Sequence, residues 1–153
     1  MLPTEPLPLY HSWPLFEDGC RFELGQLMHG EGTIDPVRET RLLRQRCIGH
    51  WRCDLSDNRL TWSPEVHDLF GIPRDALVSR AESVARYGTL SRAPMERLRA
   101  YAIKHHRGFT LDVEIFTVQG DRRWIRLVAA PICIDGHVVA LRGLKWDVSC
   151  LYT

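Results

Sequence analysis

The final third of the chain alternates apolar and polar residues and contains a strong two-residue turn signal. From 109 to 115 every second residue is apolar, which predicts a strand with one buried and one polar face. Asp135-Gly136 lies between two apolar runs, and both central residues of a type I′ turn need positive φ. The segment therefore predicts three consecutive antiparallel strands, at 109–115, 123–133 and 137–148.

The middle of the chain predicts a second hairpin followed by a helix. Alternating patterns indicate strands at 48–55 and 59–63, and Asp57-Asn58 between them is a tight-turn signal. The serine before Pro64 is suited to cap a helix, and proline is favoured at the first helical position. We expect this helix to end at Gly71, because glycine readily adopts the left-handed conformation that closes a helix.

Further helices precede the last three strands. Residues 74–92 indicate one or two short helices. A longer helix is predicted from Pro94 to about His106, with Gly108 ending it, because proline suits a first turn and glycine a terminus. The order of two strands, helices and three strands indicates an α+β fold, with one antiparallel sheet and helices on one of its faces.

The beginning of the chain has a different character. Four prolines fall within the first 14 residues, and proline lacks the backbone donor that helices and central strands need. We therefore expect an irregular arm whose aromatic residues contact the domain or a partner. A basic amphipathic helix follows at 36–46, since Asp35 is a suitable cap and Pro36 a suitable first residue.

Length and charge restrict the classes of function. The 153 residues correspond to one domain. With 20 Lys and Arg against 19 Asp and Glu, the net charge of +1 argues against electrostatic binding of nucleic acid or of a membrane surface. The sequence has neither a signal peptide nor an apolar run of membrane-spanning length, so we expect a cytoplasmic protein. The five cysteines lack metal-ligand spacing, so we predict reduced thiols and no metal site.

Motifs from residue 47 onward occur in the order and spacing of a known family. The first group is Gly49, Trp51 and Asp54, then Trp62-Ser63 and Glu65, then Leu69 and Gly71. The second group is Gly108-Phe109 with Glu114, then Gly120 with Arg123-Trp124, then Gly143 with Asp147-Val148-Ser149. In this arrangement the chain resembles a PAS domain of the PAS-3 subgroup over residues 47–149.

Two departures from the family pattern bear on the predicted core. Cys53 stands where the family has a tryptophan, and the smaller side chain indicates either a larger cavity or a repacked core. Before the long helix the family has His-Pro-Glu/Asp-Asp, whereas this chain has Arg92-Ala93-Pro94-Met95-Glu96. Only the proline and one acid remain, which leaves a capping role of that motif unsupported.

The resemblance implies a five-stranded antiparallel sheet, with helices on one face around a small cavity. It divides the chain into an arm and amphipathic helix (1–46), a PAS domain (47–149) and a short tail (150–153). It implies a sensory and protein-interaction module that forms homodimers and has no catalysis of its own. The expected partner is a signalling histidine kinase, as in two-component systems, or a diguanylate cyclase. Because little follows residue 149, we expect either a stand-alone module or the N-terminal module of a longer sensor.

We assign the implied cavity to apolar strand and helix residues together with one histidine. They are Trp51, Cys53, Leu69, Phe70, Leu98, Ala102, His105 and Val113. No cofactor is predicted, although haem or another small ligand is an open alternative, because haem-binding PAS sensors place an axial histidine on the long helix. The competing interpretation of His105 is a helix-end residue that interacts with the negative helix terminus. Photoreceptor flavin chemistry needs an Asn-Cys-Arg-Phe context, and residues 74–92 contain no cysteine.

The expected dimer or partner interface combines the basic helix with tryptophans on the open face of the sheet. Its residues are Val37, Arg41, Leu42, Arg44, Trp124 and Trp146. The helix at 36–46 is the nearest candidate to cover that face, and PAS domains pair with each other through such helices. The competing interpretations are a solvated helix with ordinary charge pairs and tryptophans that belong to the core.

The alternative class of function is a small-molecule enzyme of the cavity-containing α+β type. Asp54 and Asp112 are candidates for an acid or base in an apolar pocket, but their positions favour contact with solvent or turn capping. The sequence contains no nucleophile-elbow, phosphate-loop or dinucleotide motif. We therefore predict that the protein is not an enzyme.

Overall fold

The structure, a computed structural model, describes residues 9–15, 41 and 43–152. Within them the strands are β1 (Tyr10–Pro14), β2 (Gly49–Asp54), β3 (Arg59–Trp62), β4 (Arg107–Phe116), β5 (Arg122–Ile134) and β6 (His137–Asp147). The helices are α1 (Pro64–Phe70), α2 (Arg80–Ala85) and α3 (Thr89–His105), followed by a 3-10 turn at Ser149–Leu151. This is the predicted α+β fold. None of the described helices is both long and apolar enough to cross a membrane.

The described strands form one antiparallel sheet in the order β1-β4-β5-β6-β2-β3. Five of them are the predicted strands. The sixth, β1, lies in the arm that was expected to be irregular, and it pairs with the edge of β4 from Tyr10 opposite Leu111 to Pro14 opposite Arg107. An edge strand tolerates proline, because one of its two sides needs no ladder hydrogen bonds.

The turn and first-helix predictions are confirmed. Asp135 and Gly136 have φ of 51° and 79°, as a type I′ turn between β5 and β6 requires. Helix α1 begins at Pro64 and is closed by Gly71, whose φ is 68°. Ser63 occupies the cap position of α1, but its hydroxyl accepts from the backbone N–H of His50 instead of capping the helix.

The long helix begins earlier and ends differently than predicted. It starts at Thr89, so Pro94 lies within it. The cause is a tertiary contact: Gly88 N–H donates to the Glu114 carbonyl, and Ser91 Oγ accepts from Glu114 N–H at 2.8 Å, which fixes the first turn against β4. His106, with φ of 54°, closes the helix, so the prediction that Gly108 ends it is wrong.

The two faces of the sheet carry separate apolar clusters. The larger cluster lies between the sheet and α1 to α3, and Phe70, Ile115 and Val66 are fully buried in it. The opposite face, which we call the open face, carries a smaller cluster. Its buried members are Trp13, Leu43, Ile48, Val128, Ala130 and Leu144. The N-terminal part of the chain therefore covers a patch of the open face.

Gly108 allows β1 to approach β4 closely. An added Cβ at this position would stand 2.1 Å from a ring carbon of Trp13, whose indole N–H donates to Thr110 Oγ1 at 3.1 Å. Ring and backbone are therefore in contact, and only glycine leaves room for it. Gly108 is thus required by packing.

We predict that Gly108→Ala lowers the free energy of unfolding by about 1–3 kcal/mol, because the methyl group overlaps the indole. Chemical denaturation followed by circular dichroism measures the change. In a Trp13→Ala background the same substitution should be neutral or stabilise by about 0.5–1 kcal/mol, since alanine is then unhindered. An equal loss in both backgrounds would show that Trp13 is not the cause.

Candidate functional site

A lysine lies inside the apolar cluster between sheet and helices. Lys145 on β6 is 5% exposed, and its Nζ donates to the hydroxyl of Tyr87 at 3.1 Å. Four aromatic rings surround the ammonium, with centroids 5.1–5.7 Å from Nζ: those of Trp51, Trp62, Phe70 and Tyr87. Distances below about 6 Å allow cation–π attraction, so the rings partly replace the water that the charge loses.

The alternation of β6 places Lys145 in the core. Leu141, Gly143 and Lys145 follow one another at every second position and therefore share one face of the strand. Gly143 pairs with Trp51 across the sheet, and an added Cβ there would stand 1.6 Å from the carbonyl oxygen of Val128 and 2.9 Å from the indole nitrogen of Trp51. Glycine at this position thus lets the indole lie against β6 beside the lysine.

A cavity of about 50 Å³ adjoins the ammonium group. The residues that line it are Trp51, Cys53, Leu60, Arg80, Ser83, Val84, Tyr87, Met95, Arg99, Phe109, Leu127, Leu141 and Lys145. One water molecule needs roughly 10–15 Å³ of cavity volume. The space at Lys145 therefore fits only a few non-hydrogen atoms. Pockets for drug-sized ligands have about 300–1,000 Å³.

The residues that the sequence assigned to the cavity fall into three groups. Trp51 and Cys53 line it, and Cys53, where the family has tryptophan, is 3% exposed. The next group is buried in the surrounding core without lining the cavity: Leu69, Phe70, Leu98, Ala102 and Val113. His105 is exposed and contacts the ring of Tyr101, with centroids 4.3 Å apart.

The placement of His105 corrects the expectation that it lies on the apolar stripe of the long helix. His105 is the last residue of α3, and its side chain is exposed. A haem group does not fit this arrangement, because His105 is outside the cavity and the cavity is far smaller than a porphyrin. Among the described residues no three His, Cys, Asp or Glu side chains form a group that could hold a metal ion.

The open face carries a buried carboxylate. Asp112 is 1% exposed and accepts two hydrogen bonds from Arg126, at 2.8 and 3.0 Å, and a third from the hydroxyl of Tyr152. The expectation that Asp112 faces solvent is therefore wrong. The reason is the C-terminal turn, which lays Tyr152 over this face in a stack on Trp124 with centroids 4.3 Å apart.

These contacts shift two pKa values on the open face. The hydrogen bond to Asp112 is the main cause that raises the pKa of Arg126. Burial, followed by the hydrogen bond to Asp112, raises the pKa of Tyr152. Neither group lies on the cavity side of the sheet. Asp54, the other candidate acid, is paired with Arg52 at 2.8 Å and also lies outside the cavity lining.

The residues that the sequence assigned to an interface are spread over the open face and its border. Trp124 and Trp146 are half-buried, the latter against the cluster that contains Leu43. Arg41 and Arg44 are exposed and helical in conformation. Val37 and Leu42 lie outside the described residues. Leu43 thus attaches this segment to the sheet, and the two arginines are exposed.

A wider surface groove of about 700 Å³ lies between this segment and α1. One ion pair lies in its lining: Arg74 donates two hydrogen bonds to Asp68 and thereby lowers the pKa of that carboxyl group. Arg123 donates to the carbonyls of Asp68 and Leu69. We therefore regard the cavity at Lys145 as the stronger candidate site.

Lys145, Tyr87 and the two arginines of the cavity lining were not predicted from the sequence. A signal for Lys145 was present, because a lysine two residues after Gly143 continues the core-facing positions of the last strand. Tyr87 lacked such a signal, since it lies in the short segment between α2 and α3. Arg80 and Arg99 look like ordinary surface residues in sequence.

Comparison with solved structures identifies similar folds. One is the N-terminal domain of a diguanylate cyclase with a PAS/PAC sensor from Marinobacter aquaeolei, at 20% identity over 67% of this chain and 96% of that one, with a TM-score of 0.62. A sensory box histidine kinase/response regulator from Burkholderia thailandensis is 18% identical over 74% and 86%, with a TM-score of 0.65. A light-oxygen-voltage domain studied with a flavin analogue is 20% identical over 77% and 89%, at 0.58. No family model and no curated protein matches the sequence.

We predict that Tyr152→Phe lowers the free energy of unfolding at pH 8 by about 1–3 kcal/mol, since a hydrogen bond to a buried carboxylate is lost. Because the folded state raises the pKa of Tyr152, this contribution is complete below the phenol's ordinary pKa near 10 and disappears as pH rises through the folded-state value. The stability gap between wild type and variant should therefore narrow toward pH 11. Denaturation curves at several pH values measure it.

The control for this prediction is Tyr101→Phe. Tyr101 is 46% exposed on α3, away from Asp112, so its removal should leave the stability unchanged at both pH values. A gap for Tyr152→Phe that is absent at pH 8, or that widens at high pH, would contradict the role assigned to Tyr152.

Proposed function

Because the chain has the fold of PAS domains, we propose that it is a cytoplasmic sensory and protein-interaction module. It senses a small ligand in the cavity at Lys145 and regulates a partner in signal transduction, such as a histidine kinase or a diguanylate cyclase. The solved structures with similar folds include domains of such proteins, which supports the choice of partner class. Residues 47–149 form the sensory unit in this proposal, and residues 1–46 make the contact with the partner.

The proposal rests on strand β6, because its side chains alternate between the cavity and the open face of the sheet. On β6, Lys145 faces the cavity, while its neighbours Leu144 and Trp146 face the cluster on the open face. A shift of β6 caused by a ligand therefore reaches the open face across a single peptide unit. Leu43 rests on that same cluster, so the N-terminal segment would respond to it.

The two alternatives derived from the sequence receive no comparable support. The haem-sensor alternative depended on His105, which is exposed. The enzyme alternative depended on Asp54 or Asp112, and Asp112 lies on the face opposite the cavity, paired with Arg126. The sensory proposal instead uses groups that line the cavity.

We propose that the functional unit is a homodimer that pairs through the exposed side of the segment carrying Arg41 and Arg44. Reversing both charges, by Arg41→Glu with Arg44→Glu, should reduce the mass in solution from dimer to monomer. Size-exclusion chromatography with light scattering measures this directly. Neither arginine contributes to the described core, so the fold should persist.

A matched control is available on the opposite side of the molecule. Arg97 and Lys104 are exposed on α3, and their replacement by glutamate changes the net charge by the same amount. This variant should remain a dimer. A monomeric wild type, or a dimer that survives the Arg41/Arg44 reversal, would contradict the proposed interface.

A further inference from the structure

The ammonium group of Lys145 has more donors than the described residues supply acceptors for. An ammonium carries three N–H bonds, and Tyr87 accepts one of them. No ion pair joins Lys145 to a carboxylate within the described part of the chain. The surrounding rings attract the charge but are weak acceptors. Two N–H donors therefore have no acceptor among the described residues, and Lys145 lines the cavity.

The residues that line the cavity carry more positive than negative charge and more hydrogen-bond donors than acceptors in their side chains. They include Lys145, Arg80 and Arg99, and no acidic residue is among the described lining residues. Glu96 compensates Arg80, and Arg99 donates to the amide oxygen of Asn58. The indole N–H of Trp51 is buried and has no acceptor among the described residues. The electrostatic complement of this lining is an anion.

From this placement we propose that the cavity binds a short monocarboxylate, whose carboxylate pairs with Lys145. The inference rests on the proposed sensory function and names the class of ligand. A carboxylate has two oxygens with about four acceptor positions, which match the spare ammonium donors. A volume of about 50 Å³ admits roughly four or five non-hydrogen atoms. The smallest dicarboxylate, oxalate, has about six non-hydrogen atoms and exceeds this volume, so dicarboxylates are disfavoured.

The apolar side of the cavity accounts for the rest of such a ligand. Leu60, Met95, Leu127 and Leu141 also line it. One or two carbon atoms of an alkyl tail would lie against these side chains and be removed from water. Acetate and propionate have this composition, and acetamide has nearly the shape of acetate without its charge.

The test is a titration of ¹⁵N-labelled full-length protein with sodium acetate, at an ionic strength held constant with sodium chloride. The tryptophan indole N–H resonances report on the site, because the Lys145 ammonium lies against the rings of Trp51 and Trp62. A ligand of four non-hydrogen atoms is expected to bind with a dissociation constant of about 1 mM. We expect the indole resonances to shift in a saturable way with acetate. Acetamide should bind at least about tenfold more weakly, because a charge-assisted hydrogen bond is lost.

Two variants connect the shifts to Lys145. Lys145→Met should weaken acetate binding by at least about tenfold, and its unliganded form should melt at a higher temperature, since a buried charge has been removed. Lys145→Gln retains hydrogen bonding and should lose the preference for acetate over acetamide, which provides a second readout if the first variant does not fold. Arg97→Met, on the exposed side of α3, should bind acetate as the wild type does.

Equal responses to acetate and acetamide in the wild type would overturn the carboxylate assignment. Unchanged acetate binding in both Lys145 variants, or the absence of any saturable shift, would overturn it as well. None of these results depends on the mass in solution of the Arg41→Glu/Arg44→Glu variant. Failure of the carboxylate proposal is therefore distinguishable from failure of the proposed dimeric module.

Discussion

The alternation of side chains along β6 is the constraint on which the rest of the structure depends. Successive residues of a strand point to opposite faces, so placing Leu144 and Trp146 over the open face places Lys145 in the core. The buried ammonium is then stabilised by Tyr87 and by four ring faces. No carboxylate among the described residues pairs with this ammonium, which makes its burial costly, and such costs are often retained at functional sites.

The open face contains a second buried charge, Asp112, which has hydrogen-bonding partners of opposite charge and of phenol type. Asp112 is fully paired, by Arg126 across the β4–β5 ladder and by Tyr152 from the C-terminal turn. The backbone N–H of Leu9 in turn donates to the Tyr152 hydroxyl at 3.4 Å. Strand β4 therefore joins the N-terminal strand to the C-terminal turn on the face where we place partner contacts. In the proposed function, the cavity side of the sheet binds the ligand and the open face contacts the partner.

Much of the fold could be predicted from the sequence, because its determinants are local. Alternation at 109–115 and the Asp135-Gly136 turn specify strands and a hairpin without reference to distant residues. The start of α3 could not be predicted in this way, since its first turn is held by hydrogen bonds to Glu114 on β4. Gly108 was misassigned for the same reason, because the indole that requires glycine there comes from Trp13, far away in the chain.

The candidate site was less predictable than the fold. Trp51 and Cys53 follow from motif positions, but the cavity's charge depends on which face of the sheet the helices cover. Period-two patterning places Lys145 and Trp146 on opposite faces of β6, and the face that α1 to α3 cover determines which of the two is in the main core. Asp112 was expected on a solvated face, because nothing in the strand pattern shows that Tyr152 covers it.

Hydrogen–deuterium exchange tests whether β6 couples the cavity to the open face. Amide exchange is compared between the wild type and Lys145→Met, residue by residue, under identical conditions. We expect altered protection both at the cavity and at Leu144, Trp146 and the segment around Leu43 on the opposite face. Changes confined to the residues that line the cavity, with unaltered exchange on the open face, would contradict it.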